Sequence, residues 1–356
     1  MPRGVTVLVG TKKGAYRFKS GAARERWRMI GHDFAGQPVY HVAFDPRDGK
    51  SLFAAINATW GGPRIEVSRD LGVTWKTAKN PAFSAGSPLT FSRTWHIEPS
   101  HASDPSVVWC GTEPAALFRS EDRGMTWEGV AGLNDHPERV PWSPGGGGLG
   151  LHSIAIDAAD PRSMMIGISA AGVYESRDGG VTWASANKGS KAVLPVSGET
   201  NDLGRCVHHL VVHPTVAGAR FQQNHVGTYF NAGNGWRNVT TGLPGDYGIR
   251  RGDPPARCGD RVRLPARGPD ADERRRRRGV PDDRCREALD PSGARPSARR
   301  SLRGHARGAR HRSPRSGGGV LRDDERGLWG SADGGRGWRR IAEHLPPILS
   351  LEAATA

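Results

Sequence analysis

One eight-residue pattern recurs along this chain and limits what it can fold into. The segments SRDLGVTW (68–75), SEDRGMTW (120–127), SRDGGVTW (176–183) and SADGGRGW (331–338) share the form S-x-D-x-G-x-T-W, with Gly replacing Thr in the last copy. Each position has a physical reason. Asp70, Asp122, Asp178 and Asp333 can accept hydrogen bonds from the backbone N–H groups of their own turn. The following glycine permits the positive φ of a tight hairpin. The closing Trp75, Trp127, Trp183 and Trp338 start a strand and bring a large ring to bury. A turn repeated at this period implies stacked supersecondary units, not one continuous core.

The spacing sets the expected number of units. A weaker copy ends at Trp236 and another at Trp27, so the Trp intervals from Trp27 are 48, 52, 56, 53 and 102 residues. The last interval equals two periods. Six visible copies and one hidden copy predict an all-β, seven-bladed β-propeller of about 50 residues per blade. Segment 151–183 shows the order within a blade: an inner strand, two further strands, then the turn into the outer strand. The N-terminal VTVLVGT reads as a second strand, so the C-terminal PPILSLEAA is expected to supply the first blade's inner strand.

These repeats resemble the Asp-box, or bacterial neuraminidase repeat, of the sialidase-like and sortilin-like propellers often labelled glycosyl hydrolases. TWHIEP (94–99), GTEPAALFRS (111–120), GGGGLGLHSI and QQNH (222–225) are similar to the same family. The resemblance covers residues 1–249 and 328–356 and implies a glycan-related role. The chain departs from sialidases: it has no F/Y-R-I-P motif, and three blade-spaced arginines cannot be placed. Sialidase activity is not expected.

The net charge of +15 is concentrated. Residues 250–327 hold 23 Arg and 12 Asp plus Glu, which gives +11 of it. The stretch has no Phe, Tyr, Trp, Ile, Met, Lys, Asn, Gln or Thr, so it lacks the residues a blade packs with. The domain reading is therefore blades one to five in 1–249, a degenerate or disordered blade in 250–327, and the last blade with the ring-closing strand in 328–356. For 250–327, a basic nucleic-acid-binding insert, a disordered linker and a shifted reading frame are the three readings, the last favoured. Nucleic acid is not expected as a partner. No membrane span is legible, since a span needs about 18 apolar residues in a row. The N-terminal apolar run is too short for a signal-peptide core. A soluble, cytoplasmic monomer is expected. The cysteines Cys110, Cys206, Cys258 and Cys285 form no CxxC pair.

In a propeller, the loops from second to third strands and those leading into inner strands share one face. The Asp-box turns lie on the other, where their carboxylates serve structure. Candidate ligand-binding residues for the mouth are His41, Trp60, His96, His152, His208, Asn224 and His225. Trp suits a sugar face and the polar groups suit hydroxyls. Glu113, with Glu98 as partner, is the candidate general acid, because glycoside hydrolysis usually needs two carboxylates. No H-x-H or HExxH pattern appears, and His208 and His209 point to opposite sides of a strand. No metal or other cofactor is assigned. The functional reading is recognition of a glycan or another polar ligand at the mouth, with glycoside hydrolysis a further step. The alternative is a non-catalytic protein- or saccharide-binding scaffold.

Overall fold

The computed structural model describes residues 4–140, 142–144, 148–192, 205–213, 216, 218–240, 309–311, 319–322, 327–332 and 337–355. The first sheet contains β1 (Val5–Thr11), β2 (Gly14–Ser20) and β3 (Trp27–Asp33). The second is β4 (Val39–Phe44), β5 (Leu52–Ala58), β6 (Gly62–Ser68) and β7 (Lys76–Thr77). The third is β8 (Arg93–Pro99), β9 (Val108–Glu113), β10 (Leu117–Ser120) and β11 (Glu128–Gly129), followed by the single helical turn α1 (Ala131–Asn134). The fourth is β12 (Leu151–Ile156), β13 (Met164–Ile168), β14 (Gly172–Ser176) and β15 (Ala184–Ser185). The fifth is β16 (Val207–Val212), β17 (Arg220–Asn224), β18 (Gly227–Asn231) and β19 (Arg237–Asn238).

Four short strands and one long strand complete the described elements. β20 (Ala309–His311) is followed by the three-stranded sheet β21 (Gly319–Arg322), β22 (Leu328–Ser331) and β23 (Arg339–Ala342), then β24 (Ile348–Thr355). β24 pairs antiparallel with β1 from Val5↔Thr355 to Thr11↔Ile348 and gives the first sheet its inner strand. β20 runs parallel beside it, with Ala309 opposite Leu351.

The fold is an all-β propeller, but not of seven blades. The described residues form five blades of four or more strands and one smaller three-stranded sheet. The count of seven divided the 102-residue interval before Trp338 into two blades. An interval counts residues and not strands, and within 250–327 the described strands are only β20 and β21. Apart from Gly327, the remainder of that stretch, and Asp333 with it, lies outside the described residues. Among the described residues no helix is long and apolar enough to cross a membrane.

The core lies between blades, and the repeat Trp explains why. Strands β24, β4, β8, β12 and β16 lie side by side in that order, so the blades stack face to face. Trp75 packs between the first and second blades with Leu8, Val42 and Leu52. Trp127 packs between the second and third with Phe53 and Ile97. Trp183 is buried between the third and fourth with Trp109 and Met164, and Trp236 between the fourth and fifth with Met165 and Leu210. Trp27 packs the same way between the first blade and the β21–β23 sheet. Each Trp thus fills the seam toward its preceding neighbour.

Candidate functional site

The two faces of the propeller carry different chemistry. On one face the repeat turns dock on the loops joining first to second strands. Leu71 N–H donates to Lys50 O, Arg123 N–H to Ser106 O and Gly179 N–H to Arg162 O, all at 2.9–3.0 Å. Within the third blade's turn, Asp122 Oδ1 accepts from the N–H groups of Met125 and Thr126, both at 2.9 Å. Asp122 Oδ2 accepts from the Thr126 hydroxyl at 2.7 Å, and Ser120 Oγ accepts Gly124 N–H at 2.7 Å. The turns at Asp70 and Asp178 repeat this set. Gly124 sits at φ +90°, and a Cβ there would stand 2.8 Å from the Phe53 ring of the preceding blade.

These bonds hold the three carboxyls near a pKa of about 2. For Asp70 and Asp178 the largest cause is the bond from the Thr74 or Thr182 hydroxyl. For Asp122 burial pushes the other way, and the Thr126 and Ser120 bonds outweigh it. Every donor comes from the turn itself, which leaves these aspartates a structural task.

The opposite face gathers the second-to-third strand loops and the approaches to the inner strands. Asn57 N–H donates to Pro38 O, Ser92 N–H to Glu113 O and Ser169 N–H to Gly150 O. Here the backbone repeats a second device, which sequence reasoning missed. The inner strand of each of the five blades carries a β-bulge at its mouth end, at Ile348/Ser350, Val39/His41, Thr94/His96, Leu151/Ser153 and Val207/His209. The extra residues are Leu349, Tyr40, Trp95, His152 and His208. A bulge re-aims a side chain beside a site and ends regular pairing. The signal was present as the aligned dipeptides YH, WH, HS and HH.

The residues after the bulges tie blades together. His41 Nδ1 accepts Ile97 N–H at 3.3 Å, and Ser153 Oγ accepts Leu210 N–H at 3.3 Å. His41 lies against His96 with ring centroids 4.3 Å apart and the rings tilted by 38°. His96 Nε2 lies 3.4 Å from Glu98 Oε2, and all three side chains are buried. His152 is buried, with Nε2 2.7 Å from Val207 O of the next blade.

Three mouth features remain open to solvent. The first joins blades two and three. Glu113 Oε2 accepts Trp95 Nε1–H at 2.7 Å and lies 3.4 Å from Arg93 Nε. Arg93 donates to Tyr40 OH at 2.9 Å and lies over the Tyr40 and Trp95 rings. Those two rings meet edge to face at 5.4 Å. The Gly-rich approach to β12 closes over this group. A Cβ on Gly148 would stand 2.7 Å from Glu113 Oε1, and one on Gly150 would stand 2.5 Å from Trp95 Nε1. Glycine there lets the chain pass tightly over a carboxylate and an indole. The second feature is Trp60, 97% exposed on the β5–β6 loop. The third lies on the fifth blade, where Cys206, His208 and His225 place donor atoms within 4.8 Å of one another. Asn224 sits under His225, its Oδ1 accepting the N–H groups of Val226 and Gly227.

Glu98 and Glu113 are not brought together. Glu113 pairs with Arg93 at the mouth end of β8, whereas Glu98 pairs opposite Trp109. Four strand residues separate the two rows, roughly 13 Å at the usual rise per residue.

The repeated inter-blade seams and turns define a β-propeller. No family model matches the chain. In sequence it is similar to an oligoxyloglucan-reducing end-specific xyloglucanase of Emericella nidulans, 25% identical over 178 residues, or 48% of this chain and 21% of that protein. It is also similar to a xyloglucanase of a Paenibacillus species, 26% identical over 212 residues, or 52% of this chain and 20% of that protein. The matched region thus spans about a fifth of the length of these curated relatives. Solved structures with a likeness include the GH74 enzyme of Niastella koreensis, at TM-score 0.47 and 18% identity over 69% of this chain and 36% of that one. Another is YCF48 from Cyanidioschyzon merolae, at TM-score 0.42 and 14% identity over 96% and 86%.

Proposed function

We propose that this glycosyl hydrolase-like propeller binds a saccharide at its mouth, and that the ligand class is a β-glucan polysaccharide such as xyloglucan. The observation that carries the reading is the Arg93–Trp95–Glu113–Tyr40 group under its glycine strap. A carboxylate, a guanidinium and two aromatic rings meet at one half-exposed point, which suits hydroxyls and the apolar face of a sugar ring. The ion pair itself adds only about 0–1 kcal/mol to stability if it behaves as partly exposed pairs do. Trp60, on the β5–β6 loop of the second blade, offers a further stacking surface. Similarity to xyloglucanases agrees with the ligand class, and the repeated turns agree with membership among Asp-box propellers.

Binding is favoured over hydrolysis. Paired glycosidase carboxylates stand about 5–9.5 Å apart, and Glu98 is both buried and distant from Glu113. The test is affinity electrophoresis of the full chain in gels containing xyloglucan, with reducing-sugar release followed in parallel. Xyloglucan should retard the chain, and Trp95→Ala and Glu113→Gln should each abolish the retardation while far-ultraviolet circular dichroism stays unchanged. Mobility that xyloglucan leaves unaltered in all three proteins would reject the reading. Sugar release that Glu113→Gln removes would instead make Glu113 a catalytic acid.

A further inference from the structure

We propose that Cys206, His208 and His225 form a zinc-type transition-metal site at the mouth end of the fifth blade, with the fourth coordination position open to solvent. The proposal stands apart from the saccharide reading, which rests on blades two and three.

Chain geometry explains how the three residues meet. Val207 is buried in the seam between the fourth and fifth blades. Strand alternation places its neighbours Cys206 and His208 on the other side, and the bulge at Val207/His209 pushes His208 outward. Asn224 lies opposite Val207, and Asn224 pairs with Gly227 across a two-residue hairpin. That hairpin presents His225 to the same spot. Asn224 pins it through Val226 N–H at 2.8 Å and Gly227 N–H at 3.1 Å, and its own Nδ2 donates to Lys191 O at 3.1 Å. The His208 and His225 rings stand edge to face with centroids 4.3 Å apart.

The donor set selects the ion. One thiolate and two imidazoles favour zinc or another borderline-soft transition metal over magnesium or calcium. Zinc bonds of about 2.0–2.3 Å in a tetrahedron set donors roughly 3.4–3.7 Å apart. Donors within 4.8 Å close to that spacing by side-chain rotation of about an ångström. All three residues are half-exposed, so an ion can enter and a water or ligand oxygen can take the fourth position. Three protein ligands with one open position is the pattern of reactive rather than purely structural zinc. On binding, the Cys206 thiol gives its proton to solvent and the thiolate bonds the metal.

The test uses the full chain, stripped with chelator and titrated with zinc chloride, and separately with cobalt chloride. We expect about one zinc per chain, and with cobalt a thiolate-to-metal charge-transfer band together with the visible bands of tetrahedral coordination. Cys206→Ser should remove the charge-transfer band, and Cys206→Ser and His225→Ala should each weaken zinc binding by at least about tenfold. His101→Ala, at a half-exposed histidine on the turn face, should change neither. Should a variant fail to fold, the wild-type chain supplies the readout: zinc should protect Cys206 from alkylation, read by peptide mapping. A wild-type chain that takes up no zinc, a charge-transfer band that survives Cys206→Ser, or alkylation of Cys206 at the same rate with and without zinc would overturn the site.

Discussion

The two faces of this propeller repeat themselves in opposite ways. On the turn face both backbone and side chains recur: Ser68, Ser120 and Ser176 bond the same glycine N–H, and Asp70, Asp122 and Asp178 accept the same turn donors. On the mouth face the backbone recurs as a bulge in five inner strands, but the side chains it presents are Leu349, Tyr40, Trp95, His152 and His208. Where backbone and chemistry repeat together, the fold explains both. Where the backbone repeats and the chemistry differs, the fold explains only the position. The bulged residues and their neighbours are therefore the place to look for a task beyond folding.

The largest expected effects fall on the seams beside the turn face. Trp183→Ala and Trp236→Ala, which remove buried rings, should each cost about 3–5 kcal/mol in chemical denaturation. Trp75 and Trp127 are half-buried, and their replacement by Ala should cost about 1.5–3 kcal/mol. Equal losses from all four would mean that burial does not set the scale. Ser120→Ala comes next, at about 1–3 kcal/mol, because it strands the buried Gly124 N–H. An unchanged melt would show the turn bonds to be idle.

How much of this was legible follows from sequence distance. The turns were readable because serine, aspartate, glycine and tryptophan sit within eight consecutive residues and bond one another. The blade count overreached because Trp-to-Trp spacing was carried across a stretch whose composition does not build strands. The mouth was harder. Glu98 and Glu113 lie near in sequence, yet the β8–β9 register separates them by several rows. His225 lies 17 residues beyond His208, yet the β16–β17 register and a tight hairpin bring them together. Register depends on bulges, and no single residue type announces a bulge.

Smaller effects sharpen the contrast on the mouth side. Gly148→Ala should cost about 1 kcal/mol for a side chain at positive φ, but it should displace the Glu113 carboxylate and remove saccharide binding in titration calorimetry. Retained binding would detach Glu113 from the site. Glu113→Gln should shift stability by about 1 kcal/mol or less, and a larger loss would make the cluster structural; Trp95→Ala removes a half-buried ring and should cost about 1.5–3 kcal/mol, as at Trp75 and Trp127.

Acid should act on the turn face with the smallest effect. The depressed carboxyls of Asp70, Asp122 and Asp178 contribute stability that is present above the ordinary carboxylate range near pH 4. It is lost as pH falls through their folded value of about 2. The melting difference between the wild-type chain and an Asp70→Asn, Asp122→Asn, Asp178→Asn triple variant should thus shrink between about pH 4 and pH 2. A difference that holds constant across that range would remove these charges from the stability of the turns.

The division of labour between the faces is tested most directly by titrating xyloglucan oligosaccharide into the full chain, Trp95→Ala and Ser120→Ala, with a melt recorded for each. We predict that Trp95→Ala still folds cooperatively and loses at least about tenfold in affinity, a change of roughly 1.4 kcal/mol or more. We predict that Ser120→Ala melts earlier and binds as the wild type does. A Trp95→Ala chain that binds normally, beside a Ser120→Ala chain that melts normally, would contradict the account on both faces.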